Sequence, residues 1–184
     1  YGYGVCVDDV DITGTSTPTL AVSPANQSVS PAAGSSAFTV TSNSSWTVAS
    51  NQSWCTVTPS GSGNGTITAT YTVNNTASVR VANVTVTVTG LSPVVVTVTQ
   101  AAPSLAVAPS NQAVSPAAGS ANFTVTSNTG WTAASNQSWC TVTPSGNGNG
   151  TITATYAVNN TASVRVANVT VTAAGLSPVV VTVT

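Results

Sequence analysis

Charged side chains are almost absent from the sequence, and this absence excludes most classes of enzyme. The 184 residues include 2 Lys or Arg, 3 Asp or Glu and no His, so that charged residues make up 3% of the chain, against about 25% in an average globular protein. General acid–base catalysis needs a side chain that exchanges protons near neutral pH, and glycoside hydrolysis needs a pair of carboxyl groups. We therefore expect that the protein is not an enzyme.

The few charges that are present do not form a recognisable site. Asp8, Asp9 and Asp11 lie in the first dozen residues without the frame of an EF-hand calcium loop, and Arg80 and Arg165 lie far apart in the sequence. Zinc sites need clusters of His, Cys or carboxylate ligands, and nucleic-acid binding needs a basic surface. We expect no metal ion, no cofactor and no nucleic-acid partner.

Long hydrophobic runs are also missing. Hydrophobic residues make up 41% of the chain, which is enough for a packed core. No apolar run approaches the roughly 20 residues of a membrane-spanning helix. We expect a folded protein without a membrane span.

What the sequence does contain is an internal repeat. Residues 18–99 align without a gap with residues 103–184, and 13 of the 82 aligned pairs differ. A unit of this length fits one small β domain and is too long for the unit of a solenoid. The predicted organisation is an N-terminal segment (1–17) followed by two domains (18–100 and 101–184).

Two connecting segments carry further predictions. The linker between the copies, residues 100–103, is short and ends in a proline that restricts the residue before it. We expect an end-to-end rod with limited hinge freedom, in a longer native chain where further copies follow as a tandem array. Residues 1–12 are predicted to be a β segment, either the last strand of a preceding domain or a strand donated to a neighbouring subunit. The partner of Cys6 is left open.

Within each copy, apolar residues alternate with polar residues, mostly Thr, at a period of two, which is the pattern of a half-buried β-strand. Val and Thr strengthen this prediction, because branching at Cβ suits a pleated strand. The alternating apolar positions of the first copy are Phe38, Val40, Trp46, Val48, Ile67, Ala69, Tyr71, Val73, Val84, Val86, Val88, Val94, Val96 and Val98.

Turn-forming residues divide these strands at five places, and no stretch shows the spacing of a helix. We predict that each copy is an all-β, antiparallel β-sandwich of about seven short strands. The predicted breaks in the first copy are residues 31–34, 42–45, 59–65, 74–75 and 90–93.

Both copies carry the same set of short motifs. In the first copy the set consists of Trp46, a Trp-x-x-Val-x-Pro strand (54–59), a Gly/Ser/Asn turn (61–65), Arg80 before a Thr/Val strand, and a final VTVTQ (96–100). The counterparts in the second copy are Trp131, 139–144, 146–150, Arg165 and 181–184.

As a set, these motifs resemble the BACON domain over nearly all of residues 18–184. The resemblance implies an Ig-like β-sandwich of the kind found in tandem in secreted Bacteroidota proteins, often beside glycoside hydrolases, and in some gut phages. It also implies either carbohydrate or mucin binding or a spacer role. The sequence departs from the family at Cys55 and Cys140, where the family more often has Leu or another aliphatic residue.

Each copy carries a Cys, a Trp and an Arg that are predicted to serve the fold. In the alternating pattern, the Cys falls on the same side of its strand as Val57. It has no neighbouring base or cation to lower the pKa of its thiol, so we expect a buried thiol. The first Trp is expected in the core, and the Arg at the rim of the buried face, where its guanidinium satisfies loop carbonyl groups. These structural residues are Cys55, Cys140, Trp46, Trp131, Arg80 and Arg165.

The second Trp of each copy is the candidate for ligand binding. In the alternating pattern, Trp54 and Trp139 fall on the face of the strand opposite to the buried residues that follow them, so we expect their indoles to be exposed. An exposed indole can stack on a sugar ring. Asn51 and Asn136 are the predicted polar partners in such a glycan site. The alternative is that a loop or Arg80 covers the indole through a cation–π contact.

The leading functional prediction is a non-catalytic structural or spacer repeat of a surface fibre, stalk or adhesin, placed outside the cell or on the cell surface. Charges normally protect edge strands from pairing with other chains, and these repeats have almost none. Lateral or end-to-end association with other copies is therefore predicted. A carbohydrate-binding module, for a glycan or mucin, is the alternative.

Overall fold

The computed structural model describes Tyr1 and residues 16–184. The predictions on the acidic group (8, 9 and 11), on Cys6 and on the N-terminal β segment lie outside the described residues. Within the described part, every regular element is a β-strand, and no helix there is long and apolar enough to cross a membrane. The all-β prediction is confirmed.

Each copy of the repeat forms nine strands. The strands of the first domain are β1 (Leu20–Ser23), β2 (Asn26–Val29), β3 (Gly34–Ser42), β4 (Ser45–Ser50), β5 (Cys55–Val57), β6 (Ser60–Ser62), β7 (Gly65–Tyr71), β8 (Arg80–Thr87) and β9 (Val94–Gln100). The strands of the second domain are β10 (Leu105–Ala108), β11 (Asn111–Gln112), β12 (Gly119–Ser127), β13 (Gly130–Ser135), β14 (Cys140–Val142), β15 (Ser145–Asn147), β16 (Gly150–Tyr156), β17 (Ala167–Ala173) and β18 (Val179–Val183).

The nine strands of each domain build two sheets. In the first domain one sheet has the order β1-β3-β7-β5 and the other has the order β2-β9-β8-β4-β6. The second domain repeats these orders as β10-β12-β16-β14 and β11-β18-β17-β13-β15. Each pair of sheets encloses one core of buried residues, so the chain forms two Ig-like β-sandwiches, as predicted.

The alternation along the strands explains which face of each sheet is buried. In β7, Ile67 and Ala69 are fully buried while the threonines on either side of each are exposed, and Val84 and Val86 are likewise buried in β8. Burying a Val or Ile side chain stabilises the fold by about 1.5–3 kcal/mol. The period-two pattern therefore supplies the core and leaves a surface of Thr, Ser and Asn.

Some details of the fold differ from the sequence prediction. The sandwich is not wholly antiparallel, because β2 pairs in parallel with β9, and β11 with β18. Each domain has nine strands instead of about seven, and β6 lies inside the predicted break at residues 59–65. The polar and glycine residues of β2 and β6 show no apolar alternation that would reveal a strand.

The strand predicted to run through Val73 ends at Tyr71, and Val73 is exposed. Beyond the end of β7, the carbonyl groups of Thr72 and Val73 both accept hydrogen bonds from Arg80. The backbone that would continue the strand is therefore used to bind a side chain.

Trp46 fixes β6 to the core. Its side chain is 3% exposed, and its Nε1 donates a hydrogen bond to the carbonyl of Gly63 at 2.9 Å. The ring lies so close to Gly61 that a Cβ atom there would be 2.2 Å from it. Trp131 makes the same contacts in the second domain. Both first tryptophans thus lie in the core, as predicted, and the close approach of the ring explains why the turn is rich in glycine.

Candidate functional site

Each sandwich carries an arginine stacked on its second tryptophan. Arg80 begins β8, and Trp54 is a half-buried residue of the turn before β5. The guanidinium carbon of Arg80 lies 4.2 Å from the centre of the Trp54 ring, and the distance is 4.1 Å between Arg165 and Trp139. A cation–π contact contributes about 0.5–2 kcal/mol. The arginine therefore covers one face of the indole. This agrees with the second hypothesis of the sequence analysis, in which Arg80 covers the indole through a cation–π contact.

The guanidinium of Arg80 also holds the loop that follows β7. Its Nη2 donates hydrogen bonds to the carbonyl oxygens of Thr72 at 2.7 Å and Val73 at 3.0 Å. Arg165 likewise donates to the carbonyl of Ala157. The prediction that the arginine lies at the rim of the buried face and satisfies loop carbonyls is confirmed.

Gln100, the last residue of β9, lies at the centre of this site and is 0% exposed. The two N–H groups of its Nε2 are shared among three carbonyl oxygens, those of Pro31 at 3.1 Å, Ala32 at 3.0 Å and Thr72 at 3.0 Å. Its Oε1 accepts a hydrogen bond of 2.8 Å from Nε of Arg80. Because a buried polar group without a partner costs about 1–3 kcal/mol, this carboxamide is a major stabilising group at its end of the domain.

The same end of the second domain is an open pocket with a volume of about 220 Å³, which we call the end pocket. Thr184, which aligns with Thr99 of the first copy, lines this pocket. Other residues that line the end pocket include Val114, Pro116, Trp139, Tyr156, Asn159 and Arg165.

Cys55 and Cys140 are free thiols, each 1% exposed. Burial raises the pKa of both thiols, while hydrogen bonds to Ser50 and Ser135, and then the neighbouring arginines, lower it to a smaller extent. The buried thiols of the sequence prediction are confirmed, since a raised pKa keeps them protonated and unreactive near neutral pH. The expectation that no cation lies near them is wrong, because the positive charge of Arg80 or Arg165 acts on the thiol of its domain.

The asparagines proposed as glycan partners take part in strand pairing. The side-chain oxygen of Asn51 accepts a hydrogen bond of 2.8 Å from the backbone amide of Asn83, and Asn136 accepts the same bond from Asn168. Both side chains are exposed. A role of these residues in binding a glycan stays a prediction.

Two further asparagines, which sequence reasoning missed, hold the linker. Nδ2 of Asn74 in the first domain donates to the carbonyl of Ala101 at 2.9 Å. Nδ2 of Asn128 in the second domain donates to the carbonyl of Ala102 at 2.9 Å. Successive carbonyl groups of the linker are thus bound to successive domains. Asn also occurs in other turns of this chain, such as residues 42–45 and 59–65, so composition alone did not distinguish these two.

The role of Gln100 was also missed, although its position carried a signal. Gln100 follows Val96 and Val98 at intervals of two residues, so it lies on the same buried face of β9 as these two valines. A polar side chain at a buried phase must find hydrogen-bonding partners. Sequence reasoning instead assigned this residue to the linker.

A family model described as the viral BACON domain matches residues 19–103 and again residues 104–184. The chain belongs to this family. The resemblance inferred from the repeated motifs is confirmed, and BACON domains are non-catalytic Ig-like modules. Since the matched description is a viral one, a Bacteroidota origin stays a prediction. No curated protein matches the chain.

Several solved structures are similar to this chain at low identity and low TM-score. A Bacteroides ovatus GH5 xyloglucanase in complex with a XXXG heptasaccharide is 20% identical, with a TM-score of 0.43 over 55% of this chain and 21% of that enzyme. Protocadherin gamma B2 extracellular cadherin domains 3–6 are 14% identical (TM-score 0.35, 90% of this chain, 46% of that one). Yersinia pseudotuberculosis InvD is 21% identical (TM-score 0.30, 91% and 57%). The chain thus spans only part of each of these proteins.

Proposed function

We propose that the chain is a spacer, a pair of BACON domains that holds the parts it joins at a set separation in an extracellular surface fibre, stalk or adhesin. The observation that carries this proposal is the hydrogen bonding of the linker. Ala101 is bound by Asn74 of the first domain, and Ala102 is bound by Asn128 of the second. A linker whose backbone is tied to both neighbours has few conformations left to explore.

A direct contact between the domains supports the same function. Gly175, in the turn between β17 and β18, approaches Asn75 so closely that a Cβ atom on it would lie 2.3 Å from the Asn75 carbonyl oxygen. Relative motion is the usual behaviour of domains joined by a short chain. Here a bound linker and a backbone contact both oppose it.

The linker bonds provide the experiment. Replacing Asn128 with Ala removes the hydrogen bond to Ala102 and is expected to increase the independent motion of the domains, measured by NMR relaxation as unequal rotational correlation times. Asn43→Ala is the matched control, because Asn43 makes the equivalent bond to Thr17, ahead of the first domain. Independent tumbling of the two domains in the unmodified chain would contradict the spacer function.

Self-association is a separable part of the proposal. The edge strands β1, β2, β5 and β6 contain no charged residue, which favours pairing with other copies. Each has only three or four residues, however, which limits the hydrogen bonds that one contact can form. Sedimentation over a wide concentration range tests this part, and a monomer at every concentration would remove self-association while leaving the spacer role intact.

Glycan binding is the alternative function. An exposed edge of the half-buried Trp54 and Trp139 indoles supports it, although an arginine occupies one face of each ring. Binding to a glycan array that is lost in the Trp54→Ala, Trp139→Ala double variant, with both domains still folded, would establish this function. The absence of binding to any glycan would exclude it.

A further inference from the structure

Three asparagines of the chain are followed directly by a glycine, namely Asn64, Asn147 and Asn149. An asparagine in this position is prone to lose its side-chain amide, because glycine has no side chain to hinder attack of its own backbone nitrogen on the asparagine. Asn147 aligns with Ser62 of the first copy. One of the three Asn-Gly pairs therefore belongs to the second domain alone.

Side-chain hydrogen bonds distinguish Asn147 from the other two asparagines. Oδ1 of Asn64 accepts a hydrogen bond of 3.0 Å from the backbone amide of Ser42, and Oδ1 of Asn149 accepts one of 2.9 Å from that of Ser127. Asn147 is exposed at the end of β15, and its side chain makes no hydrogen bond within residues 16–184. Its carboxamide is therefore free to rotate toward the backbone nitrogen of the next residue.

The attacking nitrogen atoms also differ in their surroundings. Gly65 and Gly150 begin β7 and β16, each of which lies between two other strands of its sheet. Gly148 instead follows β15, an edge strand of three residues, and its amide donates to the carbonyl of Thr129 at 3.0 Å. Short edge segments open by local unfolding at a lower free energy than central strands. The nitrogen of Gly148 is therefore released more often than that of the other two glycines.

We propose that Asn147 is a site of spontaneous modification, at which the backbone nitrogen of Gly148 converts the side-chain amide into a carboxyl group. The nitrogen gives its proton to hydroxide or water and attacks Cγ of Asn147. The new N–Cγ bond closes a succinimide ring, the Cγ–Nδ2 bond breaks, and the amide nitrogen takes up a proton and leaves as ammonia. Water then opens the ring at either carbonyl carbon, which gives aspartate or isoaspartate. The net reaction consumes water, releases ammonia and needs no oxidant or reductant.

The product changes the edge of the second domain. A carboxylate at position 147 would be the first anionic side chain in residues 16–184, whose charged residues are Arg80 and Arg165. Asn147 pairs with Gly130, and β15 is the outermost strand of its sheet. A charge on an edge strand opposes pairing with another chain, and isoaspartate also lengthens the backbone opposite Gly130. The modification thus closes this edge, while β6 with Ser62 stays neutral. The reaction does not depend on the proposed function; only its effect on pairing rests on the proposed self-association.

Incubation of the full chain at pH 7 and pH 9, followed by peptide mass spectrometry, measures conversion at each asparagine. Conversion at Asn147 is expected to be at least about fivefold faster than at Asn64 or Asn149, because each of those must first break a side-chain hydrogen bond. It is also expected to be faster at pH 9, since the attacking nitrogen must lose its proton. Equal rates at the three pairs, or no conversion of Asn147 at pH 9, would overturn the proposal.

The first domain offers a matched variant. Ser62→Asn places an asparagine before Gly63, whose φ of 66° and amide bond of 3.0 Å, here to Ser44, equal those of Gly148. This variant is expected to gain a second reactive site, with a rate similar to that of Asn147. If it stays unreactive while Asn147 converts, the proposed cause, an unbonded side chain beside an edge strand, is wrong.

Sedimentation separates the reaction from its effect on pairing. After incubation at pH 9, the unmodified chain is expected to associate less than before, whereas Asn147→Ser, which cannot react at this position, keeps its association. An equal change in the two chains would exclude the effect on pairing. A chain that is monomeric before incubation would remove the proposed self-association, and the mass measurement would still decide the reaction.

Discussion

The first domain carries the buried Gln100 at the end where the second domain carries the end pocket, and 13 of the 82 aligned residue pairs differ between the two copies. In the first domain Gln100 extends the parallel pairing of β9 with β2, which has four residues. In the second domain β11 has two residues. In the first domain, one side chain beyond the last apolar residue of β9 thus binds polar groups at this end of the sandwich.

Hydrogen bonds also define where the first domain ends. Gln100 and the backbone of Ala101 are bonded to the first domain, so the unit that folds is longer than its hydrophobic pattern. A boundary drawn at the last valine would remove the donor that Gln100 provides to the carbonyl of Ala32.

The largest expected effect comes from Gln100→Ala, which converts the filled site into an open one. The carbonyl oxygen of Ala32 and Nε of Arg80 would lose the partner that Gln100 provides, so the first domain is expected to lose about 3 kcal/mol. The corresponding fall in its unfolding midpoint is roughly 12–24 °C, measurable from the Trp54 indole signal on heating. Gln27→Ala is the control, because Gln27 makes one hydrogen bond, to the carbonyl of Ala37. A loss no greater than that of the control would break the comparison.

Gly90→Ala and Gly175→Ala test a second difference between the copies. Both glycines have positive φ, 86° and 77°, so each alanine costs about 1–2 kcal/mol of backbone strain. Nothing lies near a Cβ atom at Gly90, but at Gly175 it would meet the backbone of Asn75. Only Gly175→Ala is therefore expected to shift the Asn75 amide resonance and separate the domain motions. Equal effects of the two variants would show that the contact does not hold the domains together.

Arg80→Lys and Arg165→Lys compare the two arginines directly. Lysine lacks the planar fork that stacks on an indole while donating to several acceptors. Arg80 has Gln100 as an additional partner, so its replacement is expected to cost about 1–2 kcal/mol, and that of Arg165 no more than about half as much. Thermal unfolding followed separately in each domain measures the difference. A larger loss of stability from Arg165→Lys than from Arg80→Lys would contradict this prediction.

The smallest expected effect is that of pH, and it is common to both domains. Residues 16–184 contain no Asp, Glu or His, so the unfolding midpoints are expected to change little between about pH 4 and pH 8. The pKa of each buried thiol is raised in the folded state. Its contribution is therefore complete below the unfolded pKa and is lost as the pH rises through the folded one, above about pH 9.

A double variant with Cys55→Val and Cys140→Val isolates this thiol contribution. Its unfolding midpoints are expected to fall less at alkaline pH than those of the unmodified chain, as followed by circular dichroism. An acid-induced fall of more than about 10 °C at pH 4, equivalent to more than about 1 kcal/mol for a small domain, would show that another titrating group stabilises the fold.

Much of the fold follows from the sequence because its cause is local. The alternation of Val with Thr determines which face of β8 is buried. Arg80 and Ala82 are two residues apart and lie on the same face of this strand, which predicted that the guanidinium lies at the rim of the buried face. The phase of Trp46 likewise predicted its burial. These properties need only the period of a strand, which the residues themselves display.

The parts that sequence reasoning missed depend on pairing between distant residues. Nothing within β2 indicates that it pairs in parallel with β9, some 70 residues later. The partners of Gln100 are backbone carbonyl groups, which every residue has, so their convergence is invisible in the sequence. The stacking of Arg80 on Trp54 was foreseen only as an alternative, because it depends on how two loops meet.

The parallel pairing of β2 with β9 has a mechanical consequence. β2 lies near the start of the first domain and β9 at its end, so tension applied along the chain pulls the two strands in opposite directions. Their hydrogen bonds are then loaded in shear and must break together, instead of opening one after another from an end. The four residue pairs of β2 and β9 therefore share a load that is applied along the first domain.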